Sequence, residues 1–185
     1  MLRKACILSV AIICSHLGLA TGQSGALASN MPRIRTVPSD TLADLAVAFA
    51  DPVDPVIYYN PRLLERFGPE ISAFVLAHER AHVRLGHRRP PPGGAVAGEA
   101  LERLLRTWEL DADCLAAAWL SREQPSALRA ATSFFQKMGP ARVDREHPIG
   151  SARAAQLEAC CRTANGGPRS VSEGPRSNAT ATSFR

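Results

Sequence analysis

Three features that would define a class of protein are missing from this sequence. After residue 28 there is no apolar run of about 20 residues, the length that a helix needs to cross a bilayer. There is also no internal repeat. The formal charge of +5 comes from the two ends, because residues 29–161 contain 16 basic and 16 acidic side chains. A body without a basic excess is not steered onto phosphate, so we expect no nucleic-acid partner.

The N-terminal segment is the one candidate for a targeting signal. Arg3 and Lys4 precede an apolar stretch over residues 5–20, which is too short and too interrupted to be a good membrane span. Small residues follow and offer cleavage after Ala20 or after Ala28. We predict a signal peptide over residues 1–28 and a periplasmic or secreted protein without a stable membrane span, with an uncleaved anchor as the alternative.

Cysteine is sparse beyond this signal, where only Cys114, Cys160 and Cys161 remain. Export places them in an oxidising compartment, where disulfides persist. Adjacent cysteines rarely pair with each other, because a disulfide needs a wider Cα separation than neighbours usually allow. One of Cys160 and Cys161 is therefore expected to pair with Cys114, and the sequence does not choose between them.

The rest of the chain divides by composition. Residues 29–38 predict a linker, residues 39–161 a single domain, and residues 162–185, rich in Gly, Pro, Ser, Thr and Arg, a disordered tail. The β-branched and aromatic run 56–59 predicts a strand. Apolar residues at helical spacing predict helices over residues 39–49, 61–67, 70–85, 99–120, 126–138 and 151–161. The expected fold class is α+β and mostly α, with a small sheet or edge strand beside the helix over residues 70–85.

His78, Glu79 and His82 form a His-Glu-x-x-His motif on that helix. Residues four apart share one face of a helix, so both imidazoles can reach a single ion. Zinc accepts two such nitrogens and a third protein ligand, and it leaves its fourth position to water, whose pKa it lowers to about 7. Glu79 lies about 100° around the helix from His78, close enough to take a proton from that water. The motif predicts Zn²⁺ with Glu79 as general base.

The third ligand is expected from the next long helix. Glu109 and Asp113 are four residues apart and share a face. Glu109 can bind the ion, and Asp113 can accept the outer ring N–H of a bound histidine and so fix its orientation. The alternative for this pair is an ordinary solvated acidic face. His87 is the competing ligand, but on a continuing helix it points away from His78, so we interpret it as structural, at the helix end after Gly86.

These motifs together resemble a known family. Ala77-His78-Glu79-Arg80-Ala81-His82, then Glu109-x-x-Ala112-Asp113, then His147-Pro148 with Arg153 on the next helix are similar to the gluzincin zinc metallopeptidases. Within that clan the chain looks like a small soluble member of the CAAX prenyl endopeptidase-like group. The resemblance covers roughly residues 55–160.

The resemblance implies a zincin-like fold and several site residues. It implies Glu109 as a metal ligand and Asp113 as the residue that supports a ligand. It also implies a functional His147, which in relatives either stabilises the oxyanion or caps the metal, and a functional Arg153. Val56–Tyr59 resembles the edge strand on which an extended peptide lies.

Three functions follow as hypotheses. The first is a zinc-dependent endopeptidase that hydrolyses an extended peptide or unfolded protein. The second is a latent metallopeptidase-like chaperone or assembly factor of the cell envelope, in which His147 occupies the open coordination position. The third is an exported helical domain whose motif is accidental.

Overall fold

A computed structural model describes residues 33–90 and 94–164 of the chain. The predicted signal peptide, residues 1–28, and all but three residues of the predicted tail lie outside these ranges. The described part is mostly helical with one small mixed sheet, which confirms the α+β, mostly α class. Within the described ranges no helix combines the length and the apolarity that a membrane crossing requires.

The sheet has three short strands: β1 (Arg35–Pro38), β2 (Ala46–Phe49) and β3 (Val56–Tyr59). Their order is β1-β3-β2, with β3 parallel to β1 and antiparallel to β2. The strand predicted over residues 56–59 is confirmed, but it is the central strand and not an edge. The edge that lies against the motif helix is β2. Four residues of the predicted linker form β1.

The helix predicted over residues 39–49 is wrong, because its second half is strand β2. The run from Leu45 to Ala48 is buried without interruption, as in a strand that is covered on both faces. A short apolar run of this kind fits a buried strand as well as a helix face, and only its pairing with β3 decides between them. Ala48 pairs with Ile57, and both residues are completely buried.

Five helices follow the sheet: α1 (Pro61–Glu65), α2 (Gly68–Leu85), α3 (Gly98–Glu123), α4 (Pro125–Met138) and α5 (Gly150–Ala164). All five were predicted, with ends that differ by a few residues. Asn60 caps α1, since its side chain accepts from the backbone N–H groups of Arg62 and Leu63 at 3.0 and 3.1 Å. Helix α5 continues to Ala164 and so includes the first three residues of the predicted tail.

Helix α2 lies at the centre of the molecule, where it packs against α3, α4 and strand β2. Its Phe74 and Val75 are buried among core residues from the sheet and from the last two helices, such as Ile57, Phe135 and Leu157. Burial of each large apolar side chain stabilises the fold by roughly 2 kcal/mol. The helix that carries the motif is therefore fixed from several sides.

A disulfide joins α3 to α5. Cys114 pairs with Cys160, which confirms the expected bridge and resolves the choice between the two adjacent cysteines. Cys160 lies seven residues after Arg153, so the two side chains share the face of α5 that meets α3. Cys161 lies beside this face and takes no part in the bridge.

Candidate metal centre

Helix α2 brings His78 and His82 together inside the protein. Their Nε2 atoms lie 3.0 Å apart, and both rings are almost completely buried, at 0 % and 1 % exposure. The spacing of four residues places the rings on one face of the helix. Burial of two imidazoles side by side is costly unless their nitrogens find partners, so the surrounding groups decide what the pair can do.

Helix α3 supplies the third group. Glu109 Oε2 lies 3.2 Å from His78 Nε2, and Glu109 Oε1 lies 3.3 Å from His82 Nε2. Ligands of a tetrahedral zinc ion at about 2.1 Å lie about 3.4 Å from one another. The three buried side chains therefore could hold one metal ion, as the sequence predicted.

The charges of this cluster favour the forms that bind a cation. Burial raises the pKa of Glu109, but His78 and His82 together lower it well below its usual value, so the carboxylate is ionised. Burial lowers the pKa of His78, and the nearby Glu109 and Asp113 outweigh this and raise it to about 9. The charge of Asp113 is paired with Arg153, so it is mainly the carboxylate of Glu109 that attracts a positive charge, which a proton on His78 or a metal ion can supply.

Asp113 fixes the orientation of His78. Its Oδ1 lies 3.0 Å from His78 Nδ1, the ring nitrogen that faces away from Glu109. Arg153 donates to the same carboxylate twice, from Nε at 2.7 Å and from Nη2 at 2.6 Å. Arg153 is itself buried and lies over the ring of Phe135, 4.2 Å from its centroid. The geometry fits the role that the sequence gave to Asp113, and Arg153 lies behind this carboxylate, with Nη2 also 3.4 Å from His78 Nδ1.

His82 has a different support, which the sequence analysis missed. His87 Nδ1 lies 3.0 Å from His82 Nδ1, and the ring of His87 is buried. The expectation that His87 points away from the site is wrong, because α2 does not continue to it. Gly86 adopts φ 67° and ψ 28°, a left-handed conformation that ends the helix and turns the chain back. The Gly86-His87 pair at the end of the predicted helix could have indicated that the chain turns back toward His82.

Trp108 holds His87 in place from the other side. The two rings stack with their centroids 5.0 Å apart and their planes 7° from parallel. Trp108 directly precedes Glu109 on α3. The same turn of this helix therefore carries the third group of the candidate metal site and the ring that stacks on His87. Burial, and then the neighbouring His82, lower the pKa of His87 to about 4, which keeps its ring neutral.

Glu79 lies beside the cluster. The side chain is completely buried, and within the described part of the chain neither carboxylate oxygen makes a hydrogen bond of full geometry, although the backbone N–H of Ala48 is near enough to lower its pKa. Burial raises the pKa of Glu79, although His82 and His78 pull it down. A buried carboxyl group with a raised pKa is suited to proton transfer near neutral pH.

The loop between α4 and α5 places His147 over the site. His147 Nε2 is buried, has no hydrogen-bond partner in the described ranges and lies 3.7 Å from Glu109 Oε2. Asp144 Oδ1 binds His147 Nδ1 at 2.8 Å and also accepts from the backbone N–H groups of Glu146 and His147. Asp144 was not predicted as a site residue. An Asp side chain often accepts hydrogen bonds from the backbone two or three residues later, and this tendency could have indicated the turn that positions His147.

Ion pairs hold this loop against the helices. Arg89 follows α2 and makes a bidentate pair with Glu146, with Nη1 2.5 Å from Oε2 and Nη2 in contact with Oε1. The cavity between His82, Glu109 and His147 measures about 10 Å³, room for about one water molecule. A much larger groove of about 680 Å³ lies on the other side of α2, beside Trp119, and is not lined by any residue of the site.

In comparisons with known proteins, no family model, curated protein or solved structure matches this chain. Of the seven site residues predicted, five lie at the buried cluster: His78, Glu79, His82, Glu109 and His147. Asp113 lies behind His78, at its outer ring nitrogen. Arg153 lies behind them, with Nη2 3.8 Å from Glu109 Oε2.

Proposed function

We propose that this protein is a zinc-dependent endopeptidase with a zincin-like fold, related to the gluzincins that its motifs resemble. The observation that carries the proposal is the convergence of His78, His82 and Glu109 next to Glu79, a buried carboxylate without a side-chain hydrogen-bond partner among the described residues. Two imidazoles and one carboxylate, with a fourth position left open, form the donor set of catalytic zinc sites. Zinc binds these donors and has no redox chemistry of its own, so a zinc site of this kind is suited to hydrolysis.

The residues divide the work of hydrolysis between them. A zinc ion held by His78, His82 and Glu109 would supply an acidified water molecule and a polarised carbonyl group. Glu79 would take a proton from the attacking water as general base and return it to the leaving amine. Asp113, held by Arg153, keeps His78 in the tautomer whose Nε2 is free to bind an ion. His147 Nδ1 donates to Asp144, so Nε2 could stabilise the negative charge that develops on the carbonyl oxygen when the ring carries a second proton.

The substrate that we propose is an extended peptide or an unfolded protein in the periplasm or outside the cell. Strand β2 is the sheet edge on the side of α2, but Leu45 to Ala48 are buried in the closed fold, so a peptide could add to it as a further strand only when the site opens. This replaces Val56–Tyr59, which is central in the sheet, as the candidate docking strand. The proposed location follows from the signal-like N-terminus alone.

The closure of the site favours a second candidate, a latent metallopeptidase-like chaperone or assembly factor. A cavity of about 10 Å³ has room for the attacking water and none for a peptide. His147 Nε2 is buried next to Glu109, where it could fill the fourth coordination position instead of assisting catalysis. Both candidates bind zinc in a one-to-one ratio, and they differ in whether the loop opens.

Metal analysis and a peptide-library digest test the proposal together. The full chain should contain one zinc ion per molecule and cleave peptides, and Glu79→Gln should keep the zinc and lose roughly 10²- to 10⁴-fold in rate. Glu70→Gln, which removes an exposed carboxylate from the same helix, is the matched control and should change neither. Zinc without cleavage would favour the latent protein, and absence of zinc would leave an exported helical domain with an accidental motif.

A further inference from the structure

We propose that His87 is a positioning residue that holds the ligand His82 through an imidazole acceptor, in the place where a carboxylate or a backbone carbonyl is usual. The inference rests on the proposed metal function and adds a residue to it. It follows from three observations: the contact between the two rings, the way in which His87 is fixed, and the contrast with the other histidine ligand.

The contact has the geometry of a hydrogen bond between the outer nitrogens. His82 directs Nε2 toward Glu109, at 3.3 Å, and Nδ1 toward His87 Nδ1, at 3.0 Å. When Nε2 binds an ion, the ring hydrogen of His82 must sit on Nδ1, which then donates. His87 Nδ1 is the acceptor, and its own ring hydrogen is on Nε2. Both rings are buried, so bulk water does not replace this partner.

The surrounding structure holds His87 in one position. Gly86 turns the chain, and the backbone N–H of His87 donates to the carbonyl of His82 at 3.0 Å. The N–H of Gly86 donates to Val83 at 3.1 Å, which completes a Schellman motif at the end of α2. The ring of His87 then lies flat against Trp108. Backbone and ring are thus fixed by separate elements, as expected of a residue that orients another.

The two histidine ligands are supported in unlike ways. His78 is held by the carboxylate of Asp113, whose charge is paired with Arg153. His82 is held by the uncharged ring of His87. This contact orients His82 without adding a negative charge to the site. Outer partners of metal-bound histidines typically change metal affinity 10- to 100-fold when they are lost. The loss of His87 should therefore lower the affinity for the metal, and this can be measured without an assay of activity.

Three substitutions separate the acceptor from the ring. His87→Asn keeps an acceptor near the position of Nδ1 and loses the ring, and His87→Leu has nearly the shape of asparagine with no acceptor. His87→Phe keeps a ring against Trp108 and has no acceptor. Zinc affinity is measured on the full chain by competition with a chromophoric chelator, and the visible spectrum of the Co²⁺ form reports the geometry of the donors. Circular dichroism of each metal-free variant establishes that it is folded.

We expect the asparagine variant to stay close to wild type, with the leucine and phenylalanine variants about 10-fold weaker or more and altered in their Co²⁺ spectra. Equal affinity in all four proteins, or a phenylalanine variant that binds better than the asparagine variant, would show that His87 only packs against Trp108 and would overturn the inference. A wild-type chain that binds neither ion overturns the proposed metal function, and this inference with it. The pair His87→Asn and His87→Leu decides the question if the phenylalanine variant does not fold.

Discussion

Asp113 and Arg153 form a buried bidentate ion pair, with N···O distances of 2.6 and 2.7 Å, whose carboxylate also lies 3.0 Å from His78 Nδ1. Burial, which would raise the pKa of Asp113, is overcome by Arg153 and His78, and the pKa is lowered. The pair therefore stays ionised, and it links α5, α3 and α2 through three charged or polar side chains. Asp113 and Arg153 therefore both connect the three helices and orient His78.

The first prediction concerns this pair. Asp113→Ala removes the closest counter-ion of the buried Arg153 guanidinium and leaves only the more distant Glu109, at 3.8 Å, so it should cost up to about 3–5 kcal/mol of unfolding free energy. It also removes the support of His78, so zinc affinity should fall about 10- to 100-fold. Denaturant unfolding and chelator competition measure the two effects.

Asp111→Ala is the matched control for this experiment. Asp111 lies on the same helix two residues earlier, but it is exposed. Its loss should change the unfolding free energy by no more than about 0.5 kcal/mol. If Asp113→Ala bound zinc as tightly as Asp111→Ala does, Asp113 would have no part in holding His78.

The second prediction concerns the disulfide. Cys114 and Cys160 are separated by 46 residues, and a cross-link over a loop of that length stabilises the fold by about 4 kcal/mol in the chain-entropy relation. Cys160→Ser should lower the unfolding free energy by roughly 2–4 kcal/mol. Cys161→Ser, at the adjacent position, should leave the bridge intact and change stability far less. Thermal unfolding under oxidising conditions measures both variants, and equal losses would contradict the assigned pairing.

The third prediction concerns the loop that covers the site. If the pair between Arg89 and Glu146 keeps the loop closed, its removal should raise the fraction of open molecules. A partly exposed ion pair is worth up to about 1 kcal/mol, which corresponds to a change of about five-fold in that fraction. Arg89→Gln should accordingly raise the rate of peptide cleavage up to about five-fold and leave zinc content unchanged.

Two further variants make this prediction specific. Arg89→Glu combined with Glu146→Arg reverses the charges and should restore the wild-type rate. Arg103→Gln breaks an exposed pair with Glu99 on α3, away from the loop, and should have no effect. A cleavage rate that is unchanged in Arg89→Gln would mean that this pair does not limit access to the site.

The sequence predicted the parts of the site that depend on helical spacing. His78 and His82 repeat at four residues, as do Glu109 and Asp113, and helix geometry alone places each pair on one face. Ala112, between Glu109 and Asp113, is small and completely buried in the structure, which fits the close approach of these two faces. Local periodicity was sufficient here because each helix is long.

The remaining parts depend on contacts that are distant in sequence or on short elements. Strand β2 was mistaken for a helix because six apolar or small residues in a row fit either structure, and only the pairing with β3 decides. The placement of His87 at the helix end after Gly86 is confirmed, but its direction was wrong because it was judged on a continuing helix, whereas the left-handed conformation of Gly86 reverses the chain. The choice of Cys160 over Cys161 depends on the phase of α5 relative to α3, which the spacing from Arg153 could have indicated.

The division of the centre among three helices has a thermodynamic consequence. The proposed ligands come from α2 and α3, and α5 supplies the guanidinium behind them, so an unfolded chain has no preformed site. If the centre binds an ion, the free energy of binding is also free energy of folding. Occupancy of the site and cooperativity of unfolding are then coupled: a saturating ion should hold the three helices together as one unit, and a chelator should loosen all of them together.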